Sequence, residues 1–228
     1  MKIEILYPEI CTLYGDKGNT MYLQKCLPDA EFVTTGLNEK PLFLRENIDM
    51  VYMCSMSEKS QELVLDRLMQ YKDEIAACMK DGKALFLLVG NSMELLGDYI
   101  KREDGTRVTG LGVVPGMYSV RQAPNRFNTL IKAKFNDMTL IGYTSRFAHT
   151  YGIPEDMTFC KVEIGQGSNP DTMNEGICKN RVIATYIHGP LLIQNPDFVH
   201  YLLEKLDAPM KEIPFEAAMR KAYDAVSY

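Results

Sequence analysis

The front half of the chain alternates between segments with strand periodicity and segments with helix periodicity. Residues 2–7, 31–35 and 48–53 have the short alternating or apolar pattern of strands. Residues 19–26 and 63–79 predict helices; Asn19 stands at the N-cap position of the first, and Asp81-Gly82 ends the second. Strands that alternate with helices are typical of an α/β protein with a parallel sheet.

The segment 83–89 predicts the most deeply buried strand. It is apolar from Ala84 to Val89, as expected for a strand covered by helices on both faces. It is followed by Gly90-Asn91-Ser92 and a short helical stretch, 93–96, which ends at Gly97.

The back half is richer in strands. Short runs at 128–135, 139–143, 159–164 and 181–187 are separated by Gly, Pro and Asn turns, and helical stretches follow at 196–206 and 215–226. The pattern as a whole predicts an α/β three-layer sandwich around a mostly parallel sheet, with a strand-rich insertion. We find no linker and no internal repeat, so we expect a single domain over residues 1–228.

Composition and charge exclude several classes of protein. The 228 residues are 46% hydrophobic and carry a net charge of -5, which excludes a disordered chain and argues against nucleic acid as the partner. The longest apolar run is far too short to span a membrane, and the first residues do not resemble a signal peptide, so we expect a cytoplasmic protein.

Cysteine and histidine usage gives no sign of a metal centre. The six cysteines lack any Cys-x-x-Cys pair and are expected to be separate reduced thiols: Cys11, Cys26, Cys54, Cys78, Cys160 and Cys178. The three histidines, His149, His188 and His200, are widely spaced. We therefore expect neither a metal site nor a cofactor.

In such a sheet, ligands bind at the carboxyl ends of the strands, which points to the segments 53–61, 89–97 and 186–192. The segment 89–97 has the layout of a nucleophile elbow, in which a buried strand turns sharply into a helix. The serine-hydrolase motif fails, however, because Glu94 stands where its last glycine belongs. Ser92 is therefore interpreted as a helix N-cap rather than as a nucleophile.

Two further residues are candidates for proton chemistry. His188 closes an apolar strand before Gly189-Pro190, where it is either an active-site base or a partly buried histidine bonded to a loop carbonyl. Asp16 lies between two glycines after the first strand, and it either orients a histidine, binds substrate or belongs to an ordinary turn. His149 is ambiguous, and His200 is expected to be a surface or packing residue.

Several segments occur together in the order of a known family. They are 6–8 (Leu-Tyr-Pro), 13–19 (Leu-Tyr-Gly-Asp-Lys-Gly-Asn), 94–97 (Glu-Leu-Leu-Gly), 175–176 (Glu-Gly), 185–192 (Thr-Tyr-Ile-His-Gly-Pro-Leu-Leu) and 195–196 (Asn-Pro). With them the chain resembles, from residue 1 to about residue 206, the CobB/CobQ-type class I glutamine amidotransferases. Within that family it is most similar to the glutaminase subunits of lipid II isoglutaminyl synthases.

The resemblance implies a flavodoxin-like fold and a glutamine-hydrolysing mechanism. In the family a cysteine thiolate attacks the side-chain amide, backbone N–H groups hold the oxyanion, and a histidine moves the protons. The ammonia passes to a synthetase partner, which in the isoglutaminyl synthase group is a Mur-ligase-like subunit.

This chain departs from the family pattern at the residues that carry the chemistry. Aligned on Leu95-Leu96-Gly97, the nucleophilic cysteine falls on Gly90, the two glycines after it become Asn91 and Ser92, and a glutamine becomes Glu94. The glycine-rich loop of the family is Cys54-Ser55-Met56 here, and Arg146 falls in a third altered segment. Of the family's catalytic set, only His188 and Asp16 are expected to remain.

We therefore predict an inactive glutamine amidotransferase-like subunit that binds a synthetase or a small amino-acid-like ligand. One alternative is an active amidotransferase or amide hydrolase with a relocated nucleophile, Cys54 or Ser92, acting with His188. Against this alternative, Cys54 is also a candidate for simply filling a loop pocket. The third possibility is an unrelated function on a common fold.

Overall fold

A computed structural model describes residues 1–226 of the chain. It contains six α-helices within that range: Lys17–Cys26 (α1), Glu58–Met69 (α2), Lys72–Asp81 (α3), Leu191–Gln194 (α4), Pro196–Lys205 (α5) and Glu216–Val226 (α6).

The central sheet has nine strands and two halves of opposite character. In chain order its strands are Lys2–Leu6 (β1), Glu31–Thr35 (β2), Met50–Met53 (β3), Leu85–Val89 (β4), Phe127–Phe135 (β8), Met138–Arg146 (β9), Thr158–Ile164 (β11), Asn174–Lys179 (β12) and Val182–Thr185 (β13). Their spatial order is β2-β1-β3-β4-β13-β12-β11-β8-β9. In this spatial order the first five strands, from β2 to β13, run parallel to one another. Each of the remaining pairings, from β13–β12 to β8–β9, is antiparallel.

A second, smaller sheet accounts for the rest of the strand-rich region. It consists of Tyr99–Lys101 (β5), Arg107–Thr109 (β6), Tyr118–Arg121 (β7) and Ala148–Tyr151 (β10), in the order β10-β7-β5-β6. Sequence periodicity missed β5, β6, β7, β10 and also β12, since most of these strands are only three or four residues long. The α/β fold itself is as predicted.

The strands of the parallel half are apolar because they are buried on both faces. Every residue of β3 and of β4 is buried, so both faces of these strands are covered. This is the environment that the continuous apolar run before Gly90 predicted. Because β3, β4 and β13 are neighbours in parallel register, the segments that follow them meet at one edge of the sheet.

Two helix predictions need correction. The region 63–79 contains two helices rather than one, because the helical conformation is interrupted at Tyr71 (φ -114°, ψ 13°). The first of them, α2, also starts earlier than predicted, and its N-cap is Ser57, whose Oγ accepts a hydrogen bond from Ser60 N. Asn19 is not an N-cap, since α1 begins two residues earlier. Its side chain instead bridges Tyr52 Oη (3.0 Å) and Leu192 N (2.9 Å) inside the protein.

The buried apolar side chains form one contiguous cluster that extends from Ile3 to Met219. The six cysteines are all unpaired, as the sequence predicted. Over residues 1–226, none of the helices combines the length and the apolar character that a membrane span requires.

Candidate active site

The turn after β4 places Gly90 at the centre of the candidate site. Its φ of +73° is a left-handed conformation that glycine adopts without strain. A Cβ atom on this residue would overlap Ser55 Oγ and would lie 2.5 Å from His188 Cε1. The space in which a nucleophilic side chain would start is therefore occupied by the hydroxymethyl group of Ser55.

Beside Gly90 there is a buried polar cluster, formed by His188, Asp16 and Ser55. His188 Nδ1 lies 2.9 Å from Asp16 Oδ2 and 3.2 Å from Ser55 Oγ, and Ser55 Oγ donates to the same Asp16 oxygen at 3.0 Å. None of the three is more than 1% exposed. The structure thus brings Asp16 to His188, which is the arrangement that orients an imidazole.

One assignment of protons satisfies all three contacts. A carboxylate oxygen only accepts, so in this assignment both His188 Nδ1 and the Ser55 hydroxyl donate to Asp16 Oδ2. The Ser55 proton is then held by the carboxylate, and Nδ1 has no lone pair with which to accept it.

Two tyrosines surround the imidazole. The Tyr14 ring lies 4.7 Å from the His188 ring and the Tyr143 ring 5.6 Å from it. The backbone of Tyr143 pairs with that of His188 in both directions, with N···O distances of 2.8 and 3.3 Å. The Tyr143 hydroxyl also donates to Tyr14 O at 3.3 Å. The two tyrosine rings thus pack near the imidazole, and the backbone pairing with Tyr143 holds the His188 main chain in place.

In the loop after β3, the backbone of Met56 is hydrogen-bonded to the side chain of Asn91. Met56 N donates to Asn91 Oδ1 (3.0 Å), and Asn91 Nδ2 donates back to Met56 O (2.8 Å). Gln61 Nε2 donates to the Asn91 carbonyl at 2.7 Å. The Met56 N–H, in the loop that stands where the resembling family has a glycine-rich loop, is therefore already bonded to the side chain that follows Gly90.

Ser92 and Cys54, the two candidates for a relocated nucleophile, are hydrogen-bonded to backbone carbonyls instead. Ser92 lies inside a 3-10 helix, residues 90–96, and its hydroxyl donates to Val89 O at 2.8 Å, so the expected N-cap role is wrong. The Cys54 thiol donates to Cys11 O at 2.6 Å. Burial, reinforced by the charge of Asp16, raises the pKa of Cys54 to about 12, which keeps it a thiol at neutral pH.

Glu94 and Arg146 belong to a neighbouring buried polar layer. Glu94 accepts from Gln61 Nε2 and from Tyr186 Oη, each at 2.9 Å, and burial raises its pKa. The Arg146 guanidinium lies 4.2 Å from the Tyr186 ring centre and donates to Gly167 O, while its Nε and Nη1 atoms are buried without a partner. Burial lowers the pKa of Arg146. No hydrogen bond joins Arg146 to the His188 cluster.

The other two histidines lie outside the cluster. His149 is on β10 beside Phe127, with ring centres 4.0 Å apart, and burial lowers its pKa to about 4. His200 contacts Glu216 at 3.2 Å.

Sequence reasoning placed Ser55 in the loop that replaces the family's glycine-rich loop, as a remnant of the oxyanion and substrate pocket with Cys54, Asn91, Ser92 and Arg146, but missed that its hydroxyl occupies the space beside Gly90. The available signal was positional: Ser55 comes two residues after β3, the strand that pairs with β4 in parallel register. Tyr14 was not singled out either, although it lies in the loop that carries Asp16.

The site is thus a sharp turn at the end of a buried parallel strand, facing a histidine that contacts Asp16. The chain belongs to the CobB/CobQ-like glutamine amidotransferase domain family, which its residues 2–196 match.

Two similar proteins carry the same description, the GatD subunit of the glutamine-hydrolysing lipid II isoglutaminyl synthase. The one from Streptococcus pneumoniae is 26% identical over 89% of this chain and 79% of its own length. The one from Staphylococcus aureus is 28% identical over 90% of this chain and 83% of its own length.

Solved structures agree on the fold. A crystal structure of a glutamine amidotransferase aligns with a TM-score of 0.57 at 12% identity, covering 90% of this chain and 98% of the other. PurLQS from Thermotoga maritima aligns with a TM-score of 0.56 at 12% identity, covering 82% and 86%.

Proposed function

We propose that this chain is a glutaminase-like subunit that does not hydrolyse glutamine and that serves a synthetase complex as a binding or regulatory subunit. The observation that carries the proposal is the exchange at the elbow, where Gly90 has no side chain and the Ser55 hydroxyl fills the space above it. Without a thiolate the covalent step of amide hydrolysis is lost, and the rate falls by several orders of magnitude.

The occupied amide of Met56 supports the same conclusion independently. For the Met56 N–H to hold an oxyanion, Asn91 Oδ1 would have to release it, which breaks one hydrogen bond between two part-buried groups. Removing one oxyanion donor alone costs about a hundredfold or more in rate.

The partner is proposed from the two similar proteins, each of which is a subunit of a synthase. We propose that this chain pairs with a Mur-ligase-like or related synthetase in the cytoplasm, where its six unpaired thiols would stay reduced. A small amino-acid-like ligand at the sheet edge is compatible with the same role.

Ammonia release from glutamine tests the proposal directly, with the purified chain alone and with its co-purified partner. We expect no release above background and no change in His188→Ala. Turnover that His188→Ala abolishes would contradict the proposal.

Restoring the nucleophile gives a second, constructive test. Gly90→Cys alone is expected to remain unreactive towards a glutamine-analogue electrophile, because its Cβ would overlap Ser55 Oγ. Gly90→Cys combined with Ser55→Gly removes the closest of the contacts that the new Cβ would make and leaves the 2.5 Å approach to His188 Cε1. We expect mass spectrometry to find the adduct on the new cysteine in this double variant. Equal labelling of the single and double variants would show that Ser55 does not obstruct the site.

One observation favours a second candidate, an amide hydrolase that uses Ser55. Its hydroxyl is 3.2 Å from His188 Nδ1, which is hydrogen-bond distance. The competing bond to Asp16 and the burial of Ser55 weigh against it. A serine-directed phosphonate that labels the wild type but not Ser55→Ala would establish this candidate in place of the inactive subunit.

A further inference from the structure

An unbroken row of hydrogen bonds links the turn after β4 to the surface of the protein. The inner end of the row is the side chain of Asn91, which binds the backbone N–H and C=O of Met56 at 3.0 and 2.8 Å. The outer end is the ion pair of Arg102 and Glu62, whose side chains are 36% and 28% exposed. Two buried side chains connect the two ends: Gln61 and Arg121.

Gln61, on α2, is the connector next to the turn. Its side chain is fully buried, and its amide group makes three hydrogen bonds. Nε2 donates to the Asn91 carbonyl at 2.7 Å and to Glu94 Oε2 at 2.9 Å, while Oε1 accepts from Arg121 Nη2 at 2.9 Å. Because an arginine only donates and a carbonyl oxygen only accepts, the amide cannot be turned round without losing these bonds. Gln61 therefore couples the position of Asn91 to that of Arg121.

Arg121 continues the row to the surface. Its Nη1 donates to Glu62 Oε1 at 2.7 Å, and the same oxygen accepts from Arg102 Nε at 2.9 Å. Arg102 Nη2 adds a second bond to the carboxylate, to Glu62 Oε2 at 2.8 Å. Arg102 lies in the hairpin that joins β5 to β6. Glu62 is thus shared between a buried arginine and a partly exposed one, so a change at Arg102 also changes the counter-ion of Arg121.

We propose that this row of bonds is a latch on the loop beside Gly90. In the closed state, which the structure shows, Asn91 Oδ1 holds the Met56 N–H; in the open state that N–H is free to bind an acceptor oxygen of a ligand. A partner protein opens the latch when one of its carboxylates takes Arg102 from Glu62, because it offers the guanidinium the same two-bonded geometry. The latch is independent of the proposed loss of glutaminase activity, since it concerns only how the loop is held.

A double-mutant cycle between the two ends of the row tests the latch. Glu62→Gln and Asn91→Ala disrupt the same row, so each should cost less in the presence of the other. In urea denaturation we expect the effect of Glu62→Gln on the equilibrium constant of unfolding to be at least about threefold smaller in the Asn91→Ala background. Additive effects would overturn the proposal, because sites that share no partners add.

Asn195 supplies the matched control for this cycle. It binds both backbone groups of Ile141, each at 2.8 Å, in the way that Asn91 binds those of Met56. Its partners belong to β9 and α4 rather than to the row. The effects of Glu62→Gln and Asn195→Ala should therefore be additive to within about twofold. A coupling with Asn195 as large as that with Asn91 would mean general destabilisation in place of a latch.

Hydrogen exchange at the Met56 amide tests the surface end of the latch. Arg102→Ala removes the contact that a partner would take, and we expect it to speed exchange at Met56 at least about threefold. Arg107→Ala is the control on the same hairpin, since the Arg107 guanidinium lies 4.1 Å from the Tyr99 ring centre, outside the row. The Leu37 amide, which a carboxylate binds at 2.6 Å in another loop, is the internal reference. No increase at Met56, or an equal one at Leu37 or in Arg107→Ala, would overturn the proposal.

Discussion

At the scale of single residues, the site is defined by two neighbours: Gly90 has no side chain, and the side chain of Ser55 lies in the space that a Cβ on Gly90 would need. A nucleophile elbow requires a left-handed residue, and at Gly90 that conformation is met without a side chain. The Ser55 hydroxyl has taken the space above it and donates to Asp16, so the cluster remains buried and closely packed.

Substitution at Gly90 should be costly for two separable reasons. Gly90→Ala is expected to lower the free energy of unfolding by about 3 kcal/mol, of which about 1 comes from the positive φ and about 2 from overlap with Ser55 and His188. The measurement is urea denaturation.

Gly105 provides the control, because its φ is +84° and a Cβ there would meet nothing within 4 Å. Gly105→Ala should cost only the conformational share, about 1 kcal/mol. Equal losses in the two variants would mean that the space beside Gly90 is not filled.

At the scale of elements, a partly buried ion-pair cluster joins α2 to the smaller sheet. Glu62 on α2 accepts two hydrogen bonds from Arg102 (2.9 and 2.8 Å) and one from Arg121 on β7 (2.7 Å). Arg121 is only 7% exposed. The hydrogen bonds from Arg102 and Arg121 lower the pKa of Glu62 to about 2.

Removing the carboxylate should leave Arg121 buried without its counter-ion. Glu62→Gln is expected to lower the free energy of unfolding by about 2 kcal/mol at pH 7, whereas Asp156→Asn, which breaks the exposed pair with Lys179, should have a much smaller effect.

The effect of pH follows from the direction of the shift. The pKa of Glu62 is lower in the folded state, so its contribution is complete above about pH 4.5 and is lost as the pH falls towards 2. The difference between wild type and Glu62→Gln should shrink over that window. A constant difference would exclude Glu62 as the titrating group.

At the scale of the whole molecule, one apolar cluster reaches from β1 to α6 and includes residues of the smaller sheet, such as Ile100 on β5. We expect the chain to unfold in a single cooperative transition, with far-UV and near-UV circular dichroism coinciding in urea. An earlier transition seen by only one of the two signals would indicate that the smaller sheet unfolds separately.

The sequence alone was sufficient for the α/β class, for the buried strand before Gly90 and for the family. Each rests on local information: a run of apolar residues in a strand covered on both faces, and short motifs whose order along the chain is visible without coordinates. It also gave the prediction that Gly90 stands at the position of the nucleophile and that His188 and Asp16 are what remains of the family's catalytic set.

Only the tertiary structure decided what fills the space above Gly90. Ser55 and Gly90 are separated in sequence and meet because β3 and β4 lie side by side in parallel register. The same holds for Asn91, whose side chain accepts the hydrogen bond of the Met56 amide. Such contacts depend on how strands and helices pack, and the periodicity of a single segment contains no record of its neighbour.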